Sequence, residues 1–184
     1  MGAFVSRAGA KLEHALNVFG VDVRGMVCAD LGCNVGGFVD CLLSRGAAKV
    51  YAIDTGYGVL EWKLRRDPRV VTMERTNAMH VILPETVGLV TIDVAWTRQR
   101  NILPAARTLL GDGGRIISLI KPHYEADRAL LKNGVLPEQH LAGVITQVKG
   151  DVLAARFELV QTIPSPIRGA KGNSELLALL RPSP

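Results

Sequence analysis

Six charged side chains stand at addresses where folding alone asks for none. Asp30 ends VCAD, Asp54 ends KVYAID, Asp93 ends LVTID, and Lys121 ends RIISLIK directly before Pro122. Each run is short, apolar and rich in β-branched residues, as buried strands are, so each charge marks a point where a strand empties into a loop. In an open parallel sheet that edge is where ligands bind. Lys11 in GAKLEHAL and Glu175 in GNSELLALL would complete two lysine and carboxylate pairs. Such a pair serves a poor nucleophile, for example a ribose hydroxyl, in one of two ways. A neutral amine removes its proton, whereas an ammonium stabilises the alkoxide that forms. Taken singly, some of these charges have ordinary readings: Lys11 as an exposed helix charge, Glu175 as a strand-edge charge, Asp93 as the cap of a following turn.

The turn after the first of these strands, ADLGCNVGGF, runs strand, acid, glycine, short turn, paired glycines, helix. Small residues let a backbone approach a ligand, and a helix start offers unpaired N–H groups. Asp54 follows Asp30 by 24 positions, at the end of the next strand, where an acid accepts hydrogen bonds from ribose hydroxyls. The spacing is not that of a dinucleotide site, because three residues separate Gly32 from Gly36 and no lysine of a GxxxxGK phosphate loop is present. A nucleoside without phosphates, such as S-adenosylmethionine with its cationic sulfonium, suits this acid-rich turn better. A nucleotide site and a turn that binds nothing stay open on these residues alone.

The elements that must carry these side chains follow from periodicity. AGAKLEHALNVF, residues 8–19, places Leu12, Ala15, Leu16 and Phe19 on one helical stripe and stops at Gly20. Strands are expected at 26–32, 49–56, 69–77, 89–95 and 115–121, and helices at 37–44, 59–67, 101–110 and 138–149. FELVQTIPSP and SELLALL read as two final strands, antiparallel because only IRGAKGN lies between them. This alternation predicts an α/β fold, a doubly wound sandwich with the first helix laid against it. One domain over residues 1–184 is expected, without repeat or linker.

Composition narrows the classes further. A 184-residue chain that is 48% hydrophobic can bury one continuous core. Lys and Arg number 22 against 17 Asp and Glu, a formal charge of +5, which favours an anionic partner without naming one. Cys28, Cys33 and Cys41 lack CxxC spacing, which points to reduced thiols and away from a disulfide framework or a zinc site. His14, His80, His123 and His140 show no metal-ligand spacing and read as surface or packing residues. With no signal-peptide pattern, and with Asp93 and Lys121 interrupting the apolar runs, a cytoplasmic protein with no membrane partner is expected.

The fragments SRAGAKLEHAL, DLGCNVGGF, AIDTGYGVLEWKLRRDPRV, ERTNA, SLIKPHYEA and SPIRGAKGNSELL, in this order, resemble the haemolysin-A-like (TlyA) family of ribosomal RNA 2'-O-methyltransferases, within the FtsJ-like class. The resemblance implies a Rossmann-like S-adenosylmethionine-dependent methyltransferase with a seven-stranded sheet whose last strand is inserted antiparallel. It implies a catalytic set on Lys11, Asp93, Lys121 and Glu175, with no metal. It also implies a cofactor pocket using Asp30, Gly32, Gly36, Gly37 and Phe38, with Asp54 on the ribose hydroxyls, Asn77 beside the adenine and Asp93 near the methionine moiety. The implied partner is ribosomal RNA or a ribosomal particle.

The chain departs from the family pattern in three places. Asn34 and Val35 stand where Ser and Thr are common, and Val35 removes a possible hydroxyl contact. In VAWTRQ, Trp96 can stack on a splayed base or pack as a lid, while Arg98 and Arg100 can meet phosphate or simply be solvated. Arg7, Lys63, Arg65, Arg128, Arg168 and Lys171 are further candidate RNA contacts, chosen by basicity and loop position. Relatives commonly carry an S4-like RNA-binding domain ahead of the methyltransferase, and none is read before SRAGAKL. The alternatives are a methyltransferase for another substrate and an RNA-binding protein that kept the fold without the activity.

Overall fold

The computed structural model describes residues 4–183, and in them seven strands join into one sheet. The strands are β1 (Val27–Leu31), β2 (Lys49–Ile53), β3 (Val70–Met73), β4 (Val87–Ile92), β5 (Leu110–Ile120), β6 (Phe157–Pro164) and β7 (Leu176–Pro182). The helices are α1 (Ala8–Phe19), α2 (Gly37–Ser44), α3 (Trp62–Arg65), α4 (Gln99–Leu109), α5 (Pro122–Glu125) and α6 (Glu138–Ala154). The order is β3-β2-β1-β4-β5-β7-β6; β3 through β5 run parallel, and β7 lies antiparallel between β5 and β6.

Strand alternation sends successive side chains to opposite faces and so builds two cores. Cys28, Val50, Leu89 and Ile117 meet Leu12, Leu16, Phe38 and Leu42 of α1 and α2. Their neighbours Ala29, Tyr51, Val90 and Ile116 meet Ile102 and Leu103 of α4 and Val148 and Val152 of α6. The sheet is therefore covered on both faces, as parallel strands require. All three cysteines are free and buried, and burial pushes the thiols of Cys28 and Cys41 up to about 12.

The elements match the periodic reading in type and order, with revised bounds: β5 starts at Leu110 and takes in GDGG, β3 stops at Met73, and four further changes bear on the site and its supports. The helix expected over 59–67 is a single turn, α3, because Pro68 cannot continue a helix and only Leu64 of the turn is buried. Helix α4 starts at Gln99, two residues earlier than expected, so Pro104 falls in its second turn. Helix α6 runs on to Ala154, with Val144, Val148 and Val152 extending its buried stripe. The last strand begins at Leu176, which leaves Glu175 in the loop just ahead of it. Three pieces have no counterpart in the sequence reading: α5 after Lys121, and 3-10 turns at Arg128–Leu130 and Ala170–Gly172.

Candidate functional site

Register places the charges before any side chain is considered. Leu31 pairs with Ile53 on one side and with Ile92 on the other, so the next residues, Gly32, Asp54 and Asp93, leave the sheet in one row. This is the switch point, where β1 parts from β4 and the chain order reverses. A Cβ on Gly32 would lie 2.9 Å from the Asp93 carbonyl oxygen, and Gly32 has φ 84°, so glycine is needed there on both counts. Because β7 is antiparallel, its start lies beside the end of β5: Ile120 pairs with Leu176. Lys121 and Glu175, 54 positions apart in the sequence, are thereby brought to the same edge.

Lys11, Asp93, Lys121 and Glu175 all line one cavity of about 370 Å³. Lys121 Nζ lies 2.6 Å from Asp93 Oδ1 and donates to the Val94 carbonyl at 3.1 Å. Lys11 and Glu175 form a second, buried pair through Glu175 Oε2. Burial raises the Asp93 carboxyl above its usual range; Lys121 and then Lys11 pull it part of the way back, and Glu175 opposes them. The structure thus assembles both pairs within electrostatic reach of each other. Lys11 reaches the site because α1 crosses α2 closely, where a side chain on Gly37 would overlap Ser6 Oγ.

Of the residues implied for a cofactor, Asp30, Gly32, Gly37, Phe38 and Asp93 line this same cavity. Gly32, Asp54, Asn77 and Asp93 line an adjoining one of about 360 Å³. Both volumes fall in the range of small-molecule sites. Asp54 accepts from the backbone N–H of Asn34 at 2.8 Å and of Gly56 at 2.7 Å, so one lone pair on each oxygen holds the turn and the others face outward bonding partners. Asn34 adopts φ 48° in this turn, and the bond uses its backbone N–H, which does not depend on the side chain. Asn77 Oδ1 caps its own turn through Met79 N–H and leaves the amide NH2 as a donor. Asp30 is 1% exposed; its Oδ1 accepts from Thr91 Oγ1 at 2.7 Å, and its Oδ2 has no partner. Burial pushes this carboxyl up to about 8, the Thr91 bond pulling it down and Asp93 and Asp54 pushing it further up.

Gly36 lines neither cavity; it has φ 97°, and a Cβ there would overlap Leu64 and Leu60, so the packing of the α3 region needs a glycine there. Lys63 and Arg65 line neither cavity: Lys63 pairs with Asp40 at 3.0 Å, and half-buried Arg65 pairs with Glu74 and donates to the Leu60 carbonyl.

Of the other candidate RNA contacts, four border a groove of about 520 Å³ that shares His123 and Tyr124 with the first cavity. Trp96, 76% exposed with φ 64°, stacks on Tyr124 with ring centroids 4.7 Å apart. Arg98, Arg128 and Lys171 line the same groove. Arg98 also donates to the Ala126 carbonyl and Lys171 to the Asn133 carbonyl, whereas Arg7 lines the first cavity and Arg168 a separate one.

Three site residues escaped the sequence reading. His123 and Tyr124 line both the first cavity and the groove, and burial and Lys121 together lower the His123 pKa. Glu125, 2% exposed, accepts from Gln99 N–H at 2.9 Å and so caps α4, tying the loop after Asp93 to the turn after Lys121. Their one sequence signal is position, two to four residues after Lys121. Among the described residues no group of His, Cys, Asp and Glu is able to hold a metal ion, and no helix is long and apolar enough to cross a membrane.

Comparison with known proteins agrees with this geometry. The model of the FtsJ-like methyltransferase family matches residues 4–181. A Bacillus subtilis protein, provisionally named rRNA methyltransferase YqxC, is 42% identical over 181 residues, covering 95% of this chain and 64% of the relative. The 16S/23S rRNA (cytidine-2'-O)-methyltransferase TlyA of Mycobacterium tuberculosis is 38% identical over 185 residues, covering 97% of this chain and 69% of the relative. A solved structure from Streptococcus thermophilus, provisionally described as a hemolysin, superposes with a TM-score of 0.95 at 38% identity, covering 100% of this chain and 68% of that one. The chain thus spans just under two thirds of the Bacillus relative's length.

Proposed function

Since the chain belongs to the FtsJ-like methyltransferase family, we propose that it transfers the methyl group of S-adenosylmethionine to a ribose 2'-hydroxyl of structured RNA, with ribosomal RNA as the substrate. One observation carries the reading. Two amines and two carboxylates, drawn from α1, β4, β5 and the approach to β7, line one cavity that adjoins a second one bearing Asp54 and Asn77.

The residues present fit the cofactor. Asp30 Oδ2 is buried beside the cavity without a partner, and a cationic group of the ligand compensates such an oxygen. Asp54 keeps acceptor capacity for the ribose hydroxyls, and Asn77 keeps an NH2 donor for the base. When bound, S-adenosylmethionine supplies a methyl group on a positively charged sulfur.

The protein's own side chains then act on the hydroxyl. Lys121 has two of its N–H directions committed, to Asp93 and to the Val94 carbonyl, so its remaining direction serves the incoming oxygen. There it stabilises the developing alkoxide or, as a free amine, takes its proton. The Lys11 and Glu175 pair orients the hydroxyl and balances the charge beside Asp93. Alignment of the reacting atoms contributes most of the acceleration. Trp96 and Tyr124 offer a stacking wall for an unstacked base, and Arg98, Arg128 and Lys171 surround the groove with positive charge for phosphate.

The test is transfer of labelled methyl groups from S-adenosylmethionine to ribosomal RNA, naked and within ribosomal particles, followed by digestion to nucleosides. Label is expected in a 2'-O-methyl nucleoside. Label confined to a base, or RNA binding without transfer on any of these substrates, would overturn the reading.

A further inference from the structure

The wall of the groove and the carboxylate of Glu175 are joined through one buried amide. Asn173 is 3% exposed. Its Oδ1 accepts from the Leu136 N–H at 3.1 Å and its Nδ2 donates to the Gly134 carbonyl at 3.0 Å. These partners, one donor and one acceptor, fix which way the amide faces. A side chain thus pairs with the 134–136 backbone much as a neighbouring peptide would in a sheet. Gly134 lines the groove, and the Lys171 ammonium braces the same loop by donating to the Asn133 carbonyl at 3.1 Å.

The main chain of Asn173 carries the connection toward the reacting groups. Its carbonyl accepts from the Gly169 N–H at 2.9 Å, closing a turn in which Lys171 and Gly172 both adopt positive φ. That turn presses Gly169 against Glu175, so closely that a Cβ on Gly169 would overlap Glu175 Oε1. The Glu175 carboxylate is therefore confined between the backbone of Gly169 on one side and the Lys11 ammonium on the other. The Glu175 carbonyl is itself held by the Ser165 N–H at 2.9 Å. A shift of the 133–136 loop has a direct mechanical route to this carboxylate, through Asn173 and then Gly169.

We propose that Asn173 is a positioning residue that couples the groove's outer loop to Glu175, so that RNA lying in the groove steadies the Lys11 and Glu175 pair for methyl transfer. The identity of the groove's occupant rests on the functional reading above; the coupling between the two loops does not. Glu175 belongs to the site, whereas Asn173 acts on the reaction only through it.

Two variants and two readouts test this. Asn173→Ala removes the side-chain bonds to Leu136 and Gly134. Asn173→Asp keeps the acceptor for Leu136 N–H but sets an ionised oxygen against the Gly134 carbonyl until it is protonated. Hydrogen exchange is read on segments 131–137 and 165–176, and methyl transfer is measured at saturating ribosomal RNA, with S-adenosylhomocysteine binding as a check on the cofactor cavities. Both segments are expected to lose protection together in Asn173→Ala, with kcat falling about tenfold or more and cofactor affinity staying within about twofold of wild type. For Asn173→Asp, the ratio of its kcat to that of wild type should rise as pH falls from about 8 toward 6, when the protonated carboxyl donates again.

Loosening of 131–137 with 165–176 unchanged would overturn the coupling, whatever the substrate proves to be. So would an unchanged kcat accompanied by a rise in KM alone. If Asn173→Ala fails to bind S-adenosylhomocysteine, the Asp variant decides: a flat kcat ratio across that pH range defeats the proposal. A wild-type protein that labels no ribosomal RNA defeats the functional reading, and the exchange measurement still judges the coupling.

Discussion

Lys121 has the clearest assignment of any single side chain, since it is held by Asp93 at 2.6 Å and by a carbonyl at 3.1 Å, at the end of a buried strand. Lys121 stands at the cavity wall, so Lys121→Ala is expected to fold and to bind S-adenosylhomocysteine, at some cost in stability because Asp93 loses its nearest cation, while methyl transfer falls by about 10²-fold or more. Full turnover in that variant would remove Lys121 from the reaction. Asp30 gives a prediction in pH. Its carboxyl, pushed up to about 8, is largely protonated at neutral pH in the free protein, whereas a cationic cofactor group favours the ionised form. Binding should therefore release a proton, and affinity for S-adenosylhomocysteine should rise between pH 6 and 8 by up to about tenfold per unit, flattening above 8. Calorimetry in buffers of different ionisation heat counts that proton, and Asp30→Asn should abolish its release. The stability of the free protein should move the other way. Asp30 and Glu125, the latter at about 7, bind protons more tightly folded than unfolded, so their contribution is full below about 4 and is lost as pH rises toward 8. Asp93, also raised, acts in the same sense, while the depressed His123 opposes it, gaining stability as pH rises through its ordinary value; it is one group against three.

At the scale of elements, Gly36 shows that a glycine-rich turn also serves packing. It sits in the turn that invites a ligand, and its left-handed backbone and missing side chain admit Leu64 and Leu60 of the α3 region. Gly36→Ala should lower stability by about 1–3 kcal/mol in urea denaturation, through backbone strain and overpacking together. An unchanged midpoint would show that α3 adjusts freely. The same contrast explains what was legible in the sequence. Helices α1 and α2 and strand β2 stood out because an apolar stripe or run is a local signal with a local stop, such as Gly20. The antiparallel end followed from a short connection. Lys11, Asp93, Lys121 and Glu175 were legible as charges in improbable places, and their convergence needed the register Ile120 to Leu176, which no short window contains. His123, Glu125 and Asn173 were not legible, since each looks like an ordinary loop polar residue until two distant segments close around it.

Over the whole molecule, Arg24 and Arg128 stand in contrasting settings. Arg24, in the loop before β1 at the end away from the site, is paired with Asp22 at 2.6 Å and has no claim on RNA. Arg128 lines the groove, and no acid pairs with it among the described residues. On the proposed function, a formal charge of +5 would draw RNA to the whole surface, but only residues that meet phosphate release counterions on binding. Each such contact steepens the fall of log affinity against log salt by about 0.7 to 0.9. Arg128→Ala should therefore weaken binding of a ribosomal RNA fragment and make that slope shallower by about one contact, whereas Arg24→Ala should leave the slope alone. Anisotropy titrations between about 50 and 200 mM salt separate the outcomes. A weaker Arg128 variant with an unchanged slope would place its guanidinium on a base or in the loop, since a lost phosphate contact cannot leave the counterion count intact. Equal slopes and affinities in all three proteins would move the RNA path off the Trp96 groove and with it the base-stacking role of that wall.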